Sequence, residues 1–178
     1  MEQKRRERNT AILEWFDALV FALILVLVIL LFVVRTVNVD GTSMQPTLMN
    51  GEQLLARSFL YTPQRGDIVV VDGYTQYGEP LVKRVIGVSG DEIDINFDTG
   101  AVFVNGELLH EDYIAEETKQ SYDVQFPLTV PEGKLFLMGD NRRYSLDSRH
   151  SSIGFIDERD ILGKVIFRVL PVTEFGPV

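Results

Sequence analysis

The sequence contains no cysteine and only two histidines among its 178 residues. Without cysteine the chain can form neither a disulfide framework, nor a thiolate metal site, nor a cysteine nucleophile. The histidines, His110 and His150, lie far apart in sequence, which excludes a zinc site of the His-Glu-x-x-His kind. A Ser-His-Asp triad would have to use one of these two isolated histidines. We therefore expect no metal and no cofactor.

Basic residues are scarce outside the N-terminus. The chain carries 17 Lys and Arg against 26 Asp and Glu, and residues 1–35 hold five of the basic and four of the acidic residues. The remainder has 12 basic and 22 acidic residues, a net charge of −10. Binding to nucleic acid needs clustered cations that neutralise phosphates, so this composition excludes nucleic acid as a partner.

Charged residues are absent from Ala18 to Val34. As a helix, these residues together with Trp15 and Phe16 rise roughly 26 to 29 Å, which is enough to cross the hydrocarbon core of a bilayer. We predict a transmembrane anchor at residues 15–35, preceded by a cytoplasmic tail at residues 1–14.

The N-terminal tail gives this anchor an orientation. Four basic residues between positions 4 and 8 predict that the N-terminus stays in the cytoplasm, so that the rest of the chain lies outside the cytoplasmic membrane. The alternative is a cleaved secretory signal, which ends in small residues at its cleavage site. Residues 35–40 lack an Ala-x-Ala pattern, which favours an uncleaved single-pass anchor in the lipid bilayer.

From residue 36 onward the pattern changes to short strands separated by turns, which predicts a mostly β domain at residues 36–178, built as a barrel or as packed sheets. Asn105-Gly106 is a strong hairpin signal. Residues 110–130 form a polar, irregular insertion. The predicted strands are Gln53 to Arg57, Asp67 to Asp72, Leu81 to Val88, Glu92 to Phe97, Ala101 to Val104, Glu107 to Leu109, Lys134 to Met138 and Gly163 to Val169.

Ser43 and Lys83 stand out as candidates for chemistry. Ser43 lies just after the apolar segment, in a stretch stiffened by Pro46, and a hydroxyl on a stiff turn suits a nucleophile. Lys83 interrupts an apolar strand, where burial lowers a lysine pKa and allows the amine to act as a base. Taken alone, these stretches also fit a plain loop and an exposed edge strand with two solvated charges, Lys83 and Arg84.

A third stretch, residues 139–150, is the densest polar segment and follows an apolar strand, where functional side chains often gather. Three other features have simpler interpretations. Asp98-Thr99-Gly100 copies part of an aspartic-protease motif and Arg65-Gly66-Asp67 spells an adhesion tripeptide, but we predict that both are turns. We predict that His110 lies on the surface.

In chain order, the anchor, the Ser43 segment, residues 65–69, residues 83–87 and residues 139–149 resemble the type I signal peptidase family, the membrane-anchored Ser-Lys peptidases. The resemblance spans nearly the whole chain. It implies that Ser43 is the nucleophile and Lys83 the general base, and that the substrates are signal-peptide-bearing preproteins cleaved after small residues.

The resemblance also implies a set of supporting roles. Ser145 would hydrogen-bond and orient the lysine, while Asp147 with Arg149, and Arg84 with Asp140, would form ion pairs. Apolar side chains would line shallow pockets for the substrate's small residues, namely Val39, Met44, Leu48, Leu81 and Val82.

Gly41 departs from those family members that carry a serine two residues before the nucleophile. The resemblance then implies a short form, common among Gram-positive bacteria, in which backbone N–H groups, chiefly that of Ser43, stabilise the oxyanion. Two alternatives stay open: a self-cleaving Ser-Lys regulator, which would need a DNA-binding region, and a noncatalytic anchored β module that binds envelope proteins.

Overall fold

The computed structural model describes residues 2–73 and 78–178, and the side chains of all of these except 2–12 and 29–32. The basic side chains of residues 4–8, on which the predicted orientation rests, lie outside the described set. So do the apolar side chains of residues 29–32, which belong to the predicted anchor.

The chain begins with helix α1 (Glu2–Phe32), and strand β1 (Val34–Asn38) follows it almost directly. The predicted anchor was placed to residue 35, but the helix ends at Phe32 because Val34 and Arg35 already pair with Arg57 and Ala56 in the sheet. Within the part of the chain that the structure describes, no helix has the length and apolar character that a membrane span requires.

Eleven further strands follow β1 within the described ranges. Their bounds are β2 (Gln53–Arg57), β3 (Ile68–Val71), β4 (Leu81–Gly87), β5 (Glu92–Asn96), β6 (Ala101–Val104), β7 (Glu107–Leu108), β8 (Leu128–Thr129), β9 (Lys134–Met138), β10 (Ile156–Asp157), β11 (Ile161–Leu170) and β12 (Gly176–Pro177). Short 3-10 helices lie at Glu158–Asp160 and Val172–Glu174.

The strands form two antiparallel sheets, so the predicted mostly β fold is confirmed. The larger sheet has the order β1-β2-β11-β3-β4-β9-β10, with β12 paired to β11, and the smaller has the order β7-β6-β5-β8. Among the described strands, β1 and β10 lie at open ends of the larger sheet, which fits packed sheets better than a closed barrel.

The core explains why the middle strands are apolar on both faces. All four residues of β3 are buried, with Ile68 and Val70 in one hydrophobic cluster and Val69 and Val71 in another. A third cluster joins the two sheets, because residues of β4 and β9 pack there against residues of β5 and β6. The site described below lies at the first of these clusters.

The predicted turns are present. Asn105 and Gly106 connect β6 to β7 with φ angles of 54° and 79°, as a two-residue hairpin requires. Asp98 and Thr99 donate their N–H groups to the Asn96 side chain, which closes the turn between β5 and β6. Residues 65–66 form a turn before β3, and His110 is exposed.

Candidate active site

The segment from Gly41 to Leu48 folds as a compact series of turns. The Gln45 N–H donates to the Thr42 carbonyl at 3.2 Å, and the Leu48 N–H donates to the Met44 carbonyl at 2.9 Å. Met44 and Leu48 are buried in the first hydrophobic cluster, so apolar packing anchors the segment from below. Ser43, in contrast, is only half-buried, and its hydroxyl is held at the surface of this anchored loop.

Lys83 reaches this loop from β4. Its Nζ lies 2.7 Å from the Ser43 Oγ and 3.1 Å from the Val82 carbonyl oxygen, although the two residues are 40 positions apart in sequence. Lys83 is 5% exposed. Burial lowers the pKa of its ammonium from 10.5 to about 8, against the Asp147 and Asp140 carboxylates, which act to raise it. The predicted Ser-Lys contact is therefore present, with an amine that is partly neutral near pH 7.

The backbone of the Ser43 loop is held by Asn141. The Asn141 N–H donates to the Ser43 carbonyl at 3.0 Å, and its side-chain Nδ2 donates to the Thr42 carbonyl at 3.0 Å. The Ser43 N–H itself has no hydrogen-bond partner among the described residues. It is available to a substrate oxygen, as an oxyanion donor must be.

Both predicted ion pairs are present. The Arg149 Nε lies 2.8 Å from the Asp147 Oδ1, and neither side chain is exposed. The Arg84 Nε and Nη2 donate to the two carboxylate oxygens of Asp140 at 2.8 and 2.7 Å. Asp140 also accepts the Thr47 hydroxyl at 2.5 Å, and Asp147 accepts the Gly139 N–H at 3.0 Å. These bonds fix the carboxylates next to the Ser43 loop.

Ser145 does not make the predicted hydrogen bond to Lys83. Its Oγ is buried and has no hydrogen-bond partner within residues 2–73 and 78–178. The side chain lies against Gly139, where even a single added carbon would clash with both the Ser145 hydroxyl and the Ser43 carbonyl. Tight packing therefore fixes Ser145 beside the loop without directing its hydroxyl at the amine.

Sequence reasoning missed a third buried arginine. The Arg142 guanidinium is fully buried, donates to Glu111 at 3.0 Å and to the Thr118 hydroxyl at 2.6 Å, and so ties the insertion to the site. Arg84 stacks over the Tyr113 ring at 3.9 Å. The polar insertion is thus an ordered part of the site. In the sequence, its acidic and aromatic residues indicated that it could contact arginines elsewhere in the chain.

The five predicted pocket residues fall in two hydrophobic clusters. Val39, Met44 and Leu48 are buried in one cluster with Val82 packed against it, whereas Leu81 packs in a different cluster. Alternation along β4 explains this, because Leu81 and Val82 point to opposite faces. Met44 and Leu48 support the Ser43 loop, whereas Leu81 and Val82 are half-buried on opposite faces of β4, and the pocket role of these five residues stays a prediction.

An open cleft of about 620 Å³ lies beside β1. Its lining includes Asp40 and Pro80, which precede Ser43 and Lys83 by three positions in the sequence, but neither Ser43 nor Lys83 lines the cleft. Within the described residues, no group of three or more His, Asp and Glu side chains could hold a metal ion. The cleft is lined by Arg35, Thr36, Val37, Asn38, Asp40, Ala56, Val70, Gly78, Glu79, Pro80 and Leu162.

Comparison with known proteins gives consistent matches over nearly the whole chain. A family model described as signal peptidase, peptidase S26, matches residues 12–170. Signal peptidase I of Bacillus licheniformis is 38% identical over 97% of this chain and 96% of the relative. Signal peptidase I P of Bacillus subtilis subsp. natto is 39% identical over 92% of this chain and 91% of the relative. The crystal structure of a signal peptidase I from Enterococcus faecalis V583 aligns with a TM-score of 0.50 and 32% identity, covering 58% of this chain and 97% of that one.

Proposed function

The chain belongs to the signal peptidase family, peptidase S26, and from this premise we propose that it removes signal peptides from exported proteins with a Ser43–Lys83 dyad. Family membership makes the protein a peptidase. The single observation that carries the dyad is the 2.7 Å contact between the Lys83 Nζ and the Ser43 Oγ. A nucleophile and a base within hydrogen-bond reach are what serine catalysis needs.

The neutral Lys83 amine accepts the proton of Ser43 as the hydroxyl attacks the carbonyl after a small substrate residue. The resulting ammonium then donates that proton to the leaving amine, and water hydrolyses the acyl-enzyme. The Ser43 N–H, which lacks a partner among the described residues, is the proposed donor to the oxyanion. Asp147 and Asp140 oppose the loss of charge on Lys83 and favour the ammonium form after proton transfer.

The cleft beside β1 supports an extended peptide as substrate. Strand β1 lies at an end of the larger sheet and borders the cleft with residues 35–38, so a peptide there can follow the strand towards Ser43. We propose a preference for small substrate side chains of the Ala-x-Ala type. The support for it is the resemblance to type I signal peptidases, a family to which relatives such as signal peptidase I of Bacillus licheniformis belong.

We further propose that α1 anchors the protein in the cytoplasmic membrane, with its N-terminus inside and the β domain outside. Every side chain that the structure describes in α1, from Leu13 to Val28, is exposed, and most of them are apolar. Such a surface is stable in lipid and costly in water. A shared membrane would also keep enzyme and substrate close together.

The test is cleavage of a preprotein by the full chain in detergent or lipid vesicles. We expect Ser43→Ala and Lys83→Ala to lose at least about 10³-fold in kcat, because each removes a reacting group. Arg159→Met is the matched control, since this exposed arginine lies outside the site and should leave cleavage unchanged. Full activity of either dyad variant would exclude the mechanism, and absence of cleavage by the wild-type protein would exclude the function.

A further inference from the structure

Arg168 of β11 is a second contact point for the nucleophile loop. Its Nη2 donates to the Thr47 carbonyl at 2.7 Å, although the two residues are 121 positions apart. Its Nη1 pairs with Glu174 in the last 3-10 helix, and its Nε lies 3.0 Å from the buried carboxylate of Glu52. The arginine is thus enclosed by two acids and one backbone carbonyl.

The Thr47 carbonyl lies at the far end of the short loop that carries Ser43. Ser43 lies in the turn closed by the bond from the Gln45 N–H to the Thr42 carbonyl, and Thr47 lies in the overlapping turn closed by the bond from the Leu48 N–H to the Met44 carbonyl. At Thr47, Asp140 holds the hydroxyl and Arg168 holds the carbonyl, while Asn141 holds the backbone at Ser43. Both ends of the loop are therefore fixed by charged or polar groups from distant parts of the chain.

The Arg168 guanidinium makes a hydrogen bond to the loop carbonyl of Thr47 but none to the buried acid Glu52. The Arg168 Nε and the Glu52 Oε2 are close enough to attract each other, yet neither makes a hydrogen bond with acceptable geometry. The Nη2 bond to Thr47 is short, as expected for a charged donor. The guanidinium is therefore oriented by its bonds to the Thr47 carbonyl and to Glu174, whereas Glu52, which is 3% exposed, supplies compensating charge.

We propose that Arg168 is a positioning residue that holds the loop bearing Ser43 in register with the Lys83 amine. This inference rests on the proposed function. This role of Arg168 differs from a purely stabilising role, because its main effect is on the placement of the proposed nucleophile, Ser43. A displacement of about 1 Å in a reacting group can cost about 100-fold in rate.

Four variants of the full chain test the inference with a preprotein substrate. Arg168→Met removes the fork, and Arg168→Lys keeps the charge between the two acids but cannot reproduce the fork. The double variant Glu52→Gln with Arg168→Met removes both the arginine and the buried charge that it would leave unpaired. Arg65→Met is the matched control, since Arg65 pairs with the largely buried Asp91 and, within the described residues, makes no hydrogen bond or ion pair to the Ser43 loop.

We expect Arg168→Met to lower kcat by about 10- to 100-fold with an unchanged KM and an unchanged acid limb of the pH profile. Arg168→Lys should fall between this variant and the wild type. The double variant should regain thermal stability but not kcat, and Arg65→Met should lose stability without losing kcat.

Recovery of kcat in the double variant, or wild-type kcat in Arg168→Lys and Arg168→Met, would overturn the inference. An equal loss of kcat in Arg65→Met would overturn it as well, because activity would then follow stability. If the wild-type chain does not cleave the preprotein at all, the proposed function fails instead, so the two failures are distinguishable.

Discussion

Lys83 can accept a proton only while its amine is neutral, and burial sets that fraction. With a pKa of about 8, about one tenth of the amine is neutral at pH 7 and half at pH 8. We expect kcat/KM to fall tenfold per pH unit below about pH 8 and to level off above it. The measurement is a pH profile with a peptide that does not titrate between pH 6 and 10.

An acid limb near the ordinary lysine pKa of 10.5 would show that the amine is solvated in the working enzyme. A profile without any limb between pH 6 and 10 would remove Lys83 as the base.

Ser145 offers a second test at the scale of single residues. Its buried hydroxyl has no hydrogen-bond partner in the described part of the chain, so replacing the hydroxymethyl group by a methyl group removes an uncompensated polar atom. We expect Ser145→Ala to unfold in urea with a free energy within about 1 kcal/mol of the wild type or slightly above it. Loss of several kcal/mol would mean that the hydroxyl is bonded in the native protein.

The sequence was informative for residues that interrupt a pattern and silent for residues that act through distant contacts. Lys83 could be found because a charged residue that interrupts an apolar strand is expected to be buried, and burial gives a lysine an unusual pKa. Arg142 and Arg168 could not, because their partners Glu111 and Thr47 lie 31 and 121 positions away and no spacing links them. The predicted pocket residues Met44 and Leu48 are buried in the hydrophobic cluster on which the Ser43 loop packs.

The insertion at residues 110–130 acts as a structural element even though it contains little regular structure. The Arg142 guanidinium depends on Glu111 for charge compensation, and neither side chain is more than slightly exposed. We expect Glu111→Ala to cost about 3 kcal/mol or more in urea unfolding, because it leaves a buried cation unpaired. Glu117→Ala, in an exposed pair with Lys119 on the same insertion, is the control and should be neutral.

If both variants unfold like the wild type, the insertion is not held by Arg142. An additional fall in kcat for Glu111→Ala is expected, because the same segment brings Tyr113 under the Arg84 guanidinium beside Asp140.

Strand prediction succeeded where residues alternate or are all apolar, as in β2, β6 and β9, whose predicted bounds match. It failed for β8, β10 and β12, which have two residues each, too few to show a pattern, and are defined by pairing with β5, β9 and β11. Strand β1 was missed because its first residue, Val34, belongs to the apolar run that begins in α1, and only pairing with β2 separates the two elements.

At the scale of the whole molecule, the proposed anchor predicts how the protein behaves in cells. We expect the full chain to stay with the membrane pellet after washing at high salt and alkaline pH, because the contact is apolar. Protease added outside intact spheroplasts should digest the β domain, and the same protease should fail to reach it in inverted vesicles. Release by salt, or protection in spheroplasts, would contradict the anchor or its orientation.

The position of β11 in the sheet has a consequence for how the molecule is made. This strand is formed by residues 161–170, yet it lies between β2 and β3, which are made about a hundred residues earlier. The part of the sheet next to the Ser43 loop therefore joins the part that carries Lys83 only after residues 161–170 have been made. We expect a chain that stops before residue 161 to lack proteolytic activity, because β11 is needed to bring the proposed nucleophile and base together.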